Sequence, residues 1–348
     1  MKYIICQDWS NTTNNHAGMK YLANQLKILY PDEFEVFVIP DFYKKVFQSK
    51  NAFIRRLLFH YAKIEYAFYI KKLTRILITK LKDRDSVYLF EYLEKMTPQL
   101  CLVESIKRKF PDMEINAIVH LIPQKLDKAF SPKEFEKWID PISRVITLGS
   151  SLTAYLIKRG IKANSILTTF HYVDAKYYHP KVSFLNKEKL SVIAMGNQMR
   201  NVGLLKKIVM HNPNVSFTIC QGVADMSADF SELRNVRLIP FVSENELKAY
   251  MEEADISLNV MVDTIGSNVI VTSMAMGLAM VCSDVGSIRD YCDETNTLFC
   301  NNEDEEAFSR AIQILSLNLK MLNSMKYSSL RKVKALSIES FKSSLDKL

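Results

Sequence analysis

Residues 263–291 constrain the fold of this chain more than any other segment. A loop at 266–268 precedes a short apolar helix, which Gly277 ends. Residues 278–282 then form an apolar run typical of a buried strand, and residues 283–286 turn toward a further helix. A glycine loop at a helix start presents backbone N–H groups and the positive end of the helix dipole. The segment therefore predicts part of an α/β sheet, whose loop is either a phosphate site or a plain helix start.

The same alternation of strands and helices recurs along the whole chain. Strand patterns occur at 3–6, 36–39, 86–90, 115–119, 145–148, 190–196, 215–220, 236–239, 256–260, 279–282 and 298–300. Helical patterns between them are clearest at 18–29, 97–110, 132–138 and 151–159. This order is typical of doubly wound α/β domains with parallel sheets.

The length of the chain divides this pattern between two domains. Its 348 residues suit two α/β domains of roughly 150–180 residues each. Residues 175–188, with Pro180 and little periodicity, are the predicted linker. We therefore predict two Rossmann-like domains, 1–178 and 179–333, and a terminal helix at 334–348 that packs back on the first domain. Because ligands of such sheets bind at the carboxyl ends of the strands, the expected site is the cleft between the domains.

Composition and cysteine usage narrow the class of protein. A content of 48% hydrophobic and 24% charged residues is that of a globular protein. The six cysteines form no Cys-x-x-Cys pair, so we expect buried thiols and no zinc site. Residues 3–6 are too short an apolar run for a signal peptide, and no stretch reaches the roughly eighteen apolar residues of a membrane span. We expect a cytoplasmic protein, or one held on the inner face of the plasma membrane.

The net charge of +8 is concentrated in residues 44–84. This basic region has twelve Lys and Arg residues, opposed only by Glu65 and Asp83, and apolar residues recur in it at helical spacing. Such a region can lie on anionic lipid headgroups, bind nucleic-acid phosphates, or simply be the solvated face of a core helix. No nucleic-acid-binding motif accompanies the charge, so we expect a membrane surface or a solvated face and no nucleic acid.

Several segments resemble, nearly in register, the retaining glycosyltransferases of family 4, also called group 1, which have the GT-B fold. Residues 273–277, Ser-Met-Ala-Met-Gly, and 283–286, Ser-Asp-Val-Gly, are similar to the donor-sugar segment of that family. Thr264 and Thr272 stand where the family has two glutamates. The motif is therefore degenerate at the positions that hold sugar and ribose hydroxyls.

Two further segments carry the resemblance more weakly. Residues 117–123 are similar to a family strand that ends in a histidine near the transferred sugar, which here is His120. Residues 195–203 resemble the first loop of the second domain, where the family holds the donor diphosphate with an Arg and a Lys. Asn197 and Val202 stand at those places, and Arg200 lies between them. A planar guanidinium binds phosphate oxygens in pairs, so Arg200 is the predicted diphosphate ligand.

The resemblance implies transfer of a sugar from a nucleotide diphosphate sugar to a saccharide acceptor, with retention of configuration and no cofactor or bound metal. A UDP-sugar is the default donor over a GDP-sugar. The Lys- and Asn-rich composition suggests a low-GC bacterium, in which such enzymes build capsule, O-antigen or other polysaccharide on polyprenyl-diphosphate carriers. Two alternatives remain: a catalytically silent GT-B partner of another transferase, and a nucleotide-sugar epimerase. The sole Asp-x-Asp, at 83–85, is interpreted as a turn and not as a metal site.

The predicted site residues fall into three groups. The predicted catalytic residues are His120 and Asp263, the latter being the acid nearest the first missing glutamate. The predicted donor-binding residues are Gly196, Asn197, Arg200, Gly266, Ser267, Asn268, Thr272 and Asp284. The predicted acceptor-binding residues are Asn14, His16 and Gly18. Structural alternatives stay open for a strand-end histidine, for Asp263 at the end of a strand and for Asp284 as a helix cap.

Overall fold

A computed structural model describes residues 1–9, 16–180, 190–196, 199–222 and 224–347, and of Glu305 the backbone only. The chain divides into two compact units. Unit 1 comprises Met1–Leu148, Leu152–Thr169 and Leu345–Leu348, and unit 2 comprises Gly149–Ser151 and Phe170–Ser344. Each unit contains one six-stranded sheet in which all neighbouring strands are parallel. The predicted α/β class with two parallel sheets is therefore confirmed.

Unit 1 has the strand order β2-β1-β3-β4-β5-β6. Its strands are β1 (Lys2–Gln7), β2 (Phe34–Ile39), β3 (Ser86–Tyr92), β4 (Glu114–Val119), β5 (Arg144–Thr147) and β6 (Ile166–Thr168). Its helices are α1 (Met19–Leu29), α2 (Lys44–Gln48), α3 (Ala52–Lys80), α4 (Leu100–Lys109), α5 (Pro123–Ala129), α6 (Pro132–Ile139) and α7 (Ser150–Lys158), the last of which begins in residues assigned to unit 2. Every residue of β3 is buried, as expected for a central parallel strand covered on both faces.

Unit 2 has the strand order β12-β11-β10-β7-β8-β9. Its strands are β7 (Ser191–Ala194), β8 (Ser216–Cys220), β9 (Val236–Ile239), β10 (Ile256–Asn259), β11 (Ala279–Ser283) and β12 (Thr297–Cys300). Its helices are α8 (Val202–His211), α9 (Ser227–Phe230), α10 (Glu244–Glu253), α11 (Asn268–Ala275), α12 (Glu305–Leu317), α13 (Leu319–Lys332) and α14 (Ile338–Leu345). Phe217, Phe230 and Phe308 fill the core between this sheet and its helices.

Polar side chains determine where several helices begin. Asn51 accepts hydrogen bonds from the backbone of Phe53 and Ile54 and so starts α3. Ser131 and Ser243 each form a capping box with the glutamate three residues later, at the starts of α6 and α10. Such caps satisfy N–H groups that have no partner within the helix, and each typically contributes about 1 kcal/mol.

Three of the departures from the sequence prediction have a local physical reason. Strand β6 was not predicted, because its three residues are too few for a periodic pattern and none is fully buried. Residues 283–286 lead into the single 3-10 turn Ile288–Asp290 and then β12, and not into an α-helix. Helix α4 begins at Leu100 and not at 97, because Pro98 disfavours helical backbone at the residue before it.

Three properties of the described residues bear on function. No helix in these ranges combines the length and apolar character needed to cross a bilayer. All six cysteines are unpaired, and five are buried while Cys101 is exposed. Within the same residues, no group of three or more His, Cys, Asp or Glu side chains is placed to hold a metal ion.

Candidate functional site

The strand order of unit 2 reverses between β7 and β10, since β8 and β9 lie on one side of β7 and β10 to β12 on the other. Ligands of doubly wound sheets bind at the carboxyl ends of the strands at such a point. A pocket occurs there, lined by residues 194–196, Arg200, Leu205, residues 258–261, Ser267 and Val269. The fold thus brings together the loop after β7, Arg200 and the start of α11, which the sequence predicted separately as donor-binding.

The loop after β7 is held by the segment that follows β10. Gly196 has a φ of +79°, in the region that favours glycine, and a Cβ at this position would lie 3.1 Å from Cγ2 of Val269. The backbone N–H of Asn201 donates to the carbonyl oxygen of Val260 at 2.9 Å, and that of Val262 donates to Met199 at 2.9 Å. The predicted donor ligand Asn197 lies outside the described residues.

Arg200 places a partly buried cation in the wall of this pocket. Its Nη2 donates to the carbonyl oxygens of Cys220 (3.1 Å) and Ala194 (3.4 Å), and its Nη1 lies 3.4 Å from Sδ of Met226. No carboxylate among the described residues pairs with it. Burial lowers the pKa of the guanidinium to about 10, so it remains charged at neutral pH at a cost in desolvation. A buried charge without a counter-ion favours the binding of an anion.

The start of α11 also lines the pocket, through Ser267 and Val269. Gly266 has a φ of +113°, and Oγ of Ser267 accepts a hydrogen bond from the backbone of Val269 at 3.2 Å as the N-cap. Asn268 is the first residue of the helix. The hydroxyl of Thr272, one of the two threonines at the family glutamate positions, donates to the carbonyl oxygen of Asn268 at 2.7 Å. The side chains of Ser267 and Thr272 therefore support the helix start.

Asp263 and Asp284 both have structural partners. Oδ1 of Asp263 accepts from the N–H of Thr264 at 2.7 Å, and Gly286 packs against this turn with a φ of +53°. The carboxylate of Asp284 forms two bonds with Arg289, at 2.8 and 2.9 Å. The turn after β11 begins at Ser287 without a side-chain cap. The sequence left Asp284 open as a helix cap or as a ligand contact. In the structure Asp284 does not cap a helix.

In unit 1 the strand order reverses between β1 and β3. His120 directly follows β4, at the carboxyl end of that strand. Its Nε2 donates to the carbonyl oxygen of Phe90 at 2.8 Å, which assigns the proton to that nitrogen. Gly18 is the N-cap residue of α1, and the ring of His16 lies 4.7 Å from that of Tyr21. The predicted acceptor ligand Asn14 lies outside the described residues.

A pair of carboxyl groups near the end of β3 in unit 1 was not predicted from the sequence. Glu91 is only 7% exposed, and its Oε2 accepts from the backbone N–H of Gln7 at 2.9 Å, which links β3 to β1 at the reversal point. Burial raises the pKa of Glu91 to about 8, and burial also raises that of Glu94 to about 7. Between them, Leu93 has a φ of +62°, which is rare for a bulky side chain. The sequence carried one sign of this pair, which is that Glu91 interrupts the otherwise largely apolar run of β3.

Part of unit 2, the unit that carries the pocket, matches a known protein family. Residues 198–318 match the family described as glycosyl transferases group 1. This match includes Arg200, the start of α11 and the turn at Gly286. No curated protein matches the chain.

Solved structures match nearly the whole chain. Sucrose-phosphate synthase from Thermosynechococcus elongatus has a TM-score of 0.75 at 14% identity, over 100% of this chain and 98% of that one. Anabaena Alr3699/HepE in complex with UDP-glucose has a TM-score of 0.71 at 12% identity, over 99% and 100%. The lipopolysaccharide outer core galactosyltransferase WaaB has 0.67 at 13% identity, over 100% of both. These likenesses confirm the predicted GT-B fold, and residues 198–318 match the group 1 glycosyltransferase family that the sequence motifs resemble.

Proposed function

We propose that this enzyme transfers a sugar from a UDP-sugar to a saccharide carried on polyprenyl diphosphate, with retention of configuration, in the assembly of a bacterial polysaccharide such as O-antigen or capsule. The observation that carries the donor half of this proposal is Arg200, a partly buried cation in the pocket wall with no carboxylate partner among the described residues. A diphosphate would supply the missing negative charge.

The donor diphosphate would lie between Arg200 and the first turn of α11. Gly196 allows close approach of the backbone, and the helix start at residues 266–268 adds N–H groups and the positive end of the helix dipole. Such sites catalyse mainly by orienting the reactants and neutralising the leaving group. Asn197 and Asp284 would border the nucleotide, and Asp263 and Thr272 the transferred sugar.

The choice of UDP rests on a neighbour with the same fold. Anabaena Alr3699/HepE is in complex with UDP-glucose in its crystal structure, which supports a UDP-sugar here, with glucose the first sugar to test. WaaB, a lipopolysaccharide galactosyltransferase, supports a saccharide acceptor of the cell surface. We propose His120 as a catalytic residue and Asn14, His16 and Gly18 as acceptor-binding residues, as the resemblance implies.

We further infer that the basic region, residues 44–84, brings the enzyme to an anionic membrane surface. Each Lys or Arg near such a surface contributes about 1 kcal/mol at most, and the attraction falls off within a Debye length. Twelve basic and two acidic residues in this region make the attraction cumulative. Membrane contact would place the enzyme beside a lipid-linked acceptor.

The test is binding of nucleotides, followed by product analysis. UDP, GDP, CMP, dTDP and their glucose or mannose conjugates are compared by thermal shift, in which a ligand of the folded state raises Tm by mass action. We expect UDP and UDP-glucose to raise Tm and GDP not to do so. The anomeric configuration of the transferred sugar is then read by NMR.

The two alternatives predict different results in the same assays. A silent partner would bind no nucleotide in a well-folded sample, or bind one without hydrolysis or transfer. An epimerase would convert UDP-glucose to an isomeric nucleotide sugar with no acceptor present. Binding of UDP-glucose with slow release of free glucose and no isomer would exclude both.

A further inference from the structure

Helix α3 of unit 1 presents a continuous row of large apolar side chains to solvent. Ile54, Leu57, Tyr61, Ile64 and Phe68 are separated by three, four, three and four residues, and their exposed fractions range from 48% to 69%. Residues at this spacing lie on one face of a helix. These five side chains, called here the α3 stripe, extend over about 21 Å at 1.5 Å per residue. Phe53, 71% exposed, adjoins the stripe.

The opposite face of α3 accounts for its packing in the fold. Ala62, Tyr66, Ile70, Leu73 and Leu77 are buried on that face. It is further held by the hydroxyl of Tyr69, which donates to the carbonyl oxygen of Val38 at 3.1 Å, and by contact of Phe59 with Tyr43. The helix is therefore apolar on two opposite faces, and the core needs only one of them. An exposed apolar surface of this extent indicates an interaction site.

Charge decides between the possible occupants of the stripe. The outward face continues past Phe68 into Lys71, Lys72 and Arg75, and all three are exposed. Arg55, Arg56 and Lys63 lie along the rest of the helix, and Glu65 is its only acid. Pairing with α3 of a second copy would bring cations against cations with one carboxylate per helix to offset them, which disfavours a dimer. An anionic lipid surface complements both the apolar and the basic part.

We propose that the α3 stripe inserts into the boundary between headgroups and acyl chains of an anionic bilayer, with α3 lying parallel to the membrane plane. Lys71, Lys72 and Arg75 then contact lipid phosphates at the end of the stripe. This deepens the membrane contact of the proposed function, because it adds hydrophobic insertion to attraction by charge. The consequence is a particular salt dependence: attraction by charge is screened at high ionic strength, whereas insertion is not.

Flotation of the full chain with vesicles tests the proposal. Vesicles of phosphatidylcholine alone and with 30% phosphatidylglycerol are compared at about 0.1 M and about 0.5 M NaCl, where the Debye length falls from about 10 Å to about 4 Å. The variants are Leu57→Ser/Ile64→Ser/Phe68→Ser in the stripe and Lys71→Gln/Lys72→Gln/Arg75→Gln beside it. The matched control is Ile28→Ser/Met210→Ser/Leu317→Ser, which removes three apolar side chains that are 68%, 55% and 88% exposed on other helices.

We expect the wild type to float with anionic vesicles at low salt and to retain part of this binding at high salt. The stripe variant should partition at least about tenfold less at both salt concentrations, since three apolar groups no longer leave water. The basic variant should lose binding mainly at low salt, and the control should match the wild type. Tyr61→Trp should show a blue-shifted emission on anionic vesicles. Equal Tm values and far-UV spectra establish that the variants are folded.

Three results would overturn the proposal. One is flotation of the stripe variant equal to that of the wild type. Another is complete loss of wild-type binding at high salt, which would leave attraction by charge alone. The third is a wild type that does not float but forms a dimer that the stripe substitutions abolish, which would assign the stripe to a second copy. UDP binding by each variant is measured in parallel, so failure of the donor proposal and failure of the membrane proposal are read separately.

Discussion

Replacement of Arg200 by methionine separates its role in binding from its role in the fold. Methionine keeps the length and much of the volume of the side chain but removes the charge and the donors to Ala194 and Cys220. Because the guanidinium has no carboxylate partner among the described residues, the substitution leaves no buried anion behind. We therefore expect donor affinity to fall while the stability of the fold changes little or rises.

The size of the effect follows from the environment of the guanidinium. The lowering of the Arg200 pKa from 12.5 to about 10 corresponds to about 3 kcal/mol held against the charged form in the unliganded protein. This figure is an upper limit, because Arg200 is only partly buried and water reaches it in the pocket. A diphosphate that recovers between half and all of this energy binds about 10- to 100-fold more tightly than it would without Arg200. Charge-assisted hydrogen bonds of about 1.5–3 kcal/mol lead to the same range.

Isothermal titration of wild type and Arg200→Met with UDP, UDP-glucose and uridine measures this prediction. We expect Kd to rise about 10- to 100-fold for the two diphosphates and by less than about threefold for uridine, which carries no phosphate. The Tm without ligand should stay within about 3 °C or rise, since the relieved desolvation offsets the two lost hydrogen bonds. An unchanged Kd for UDP in a folded variant would refute the assignment of Arg200 to the diphosphate. An equal loss for uridine would show instead that the pocket had collapsed.

Two further predictions concern residues around the sites. Burial places the pKa of Glu91 at about 8 in the folded protein, well above its ordinary value of 4.5. The contribution of neutral Glu91 to the free energy of unfolding is thus complete below about pH 4.5 and is lost as pH rises through about 8. Glu91→Gln should therefore flatten the fall of Tm between about pH 5 and about pH 9. Identical profiles of Tm against pH for the variant and the wild type would contradict this. Gly286→Ala should lower the unfolding free energy by about 3 kcal/mol, because φ is +53° and the new Cβ would lie 2.5 Å from Oδ1 of Asp263. Gly203→Ala, in α8 with its nearest neighbour 3.9 Å away, is the matched control and should stabilise by about 0.5 kcal/mol in denaturant titration; equal effects of the two substitutions would count against the close approach at Gly286.

The amino-acid sequence alone determined the fold class and the position of the loops that line the pocket of unit 2. Strands covered on both faces must be apolar throughout, so runs such as 86–90 and 279–282 are recognisable without any partner. Glycines at 196 and 266 mark turns whose positive φ angles only glycine adopts at low cost. Apolar runs and turn glycines are local features, so they are recognisable in the sequence without knowledge of the fold. The three residues of β6 were too few to form such a run.

The environment of each site residue depended on contacts that no local sequence pattern reveals. Arg200 faces the carbonyl oxygen of Cys220, Asp284 pairs with Arg289, and Glu91 accepts from Gln7, 84 residues away. The sequence left Asp284 open as a helix cap or a ligand contact. The helix cap is excluded because the turn after β11 begins at Ser287 without a side-chain cap, while Asp284 pairs with Arg289. The same holds for the raised pKa of Glu91, because burial is a property of what surrounds the side chain.

Helix α3 shows most clearly which features follow from the sequence and which from the tertiary structure. In the sequence, Leu57 and Tyr61 are no different from Tyr66 and Leu73, since all recur at helical spacing in one basic region. The apolar pattern predicted a helix, because its period is a local property of the backbone. Which face is buried depends on where α2 and the end of β2 contact it, and this assigned Tyr66 and Leu73 to the core and left Leu57 and Tyr61 in solvent. Periodicity thus determined the element, and only tertiary packing decided which of its two apolar faces remains exposed to solvent.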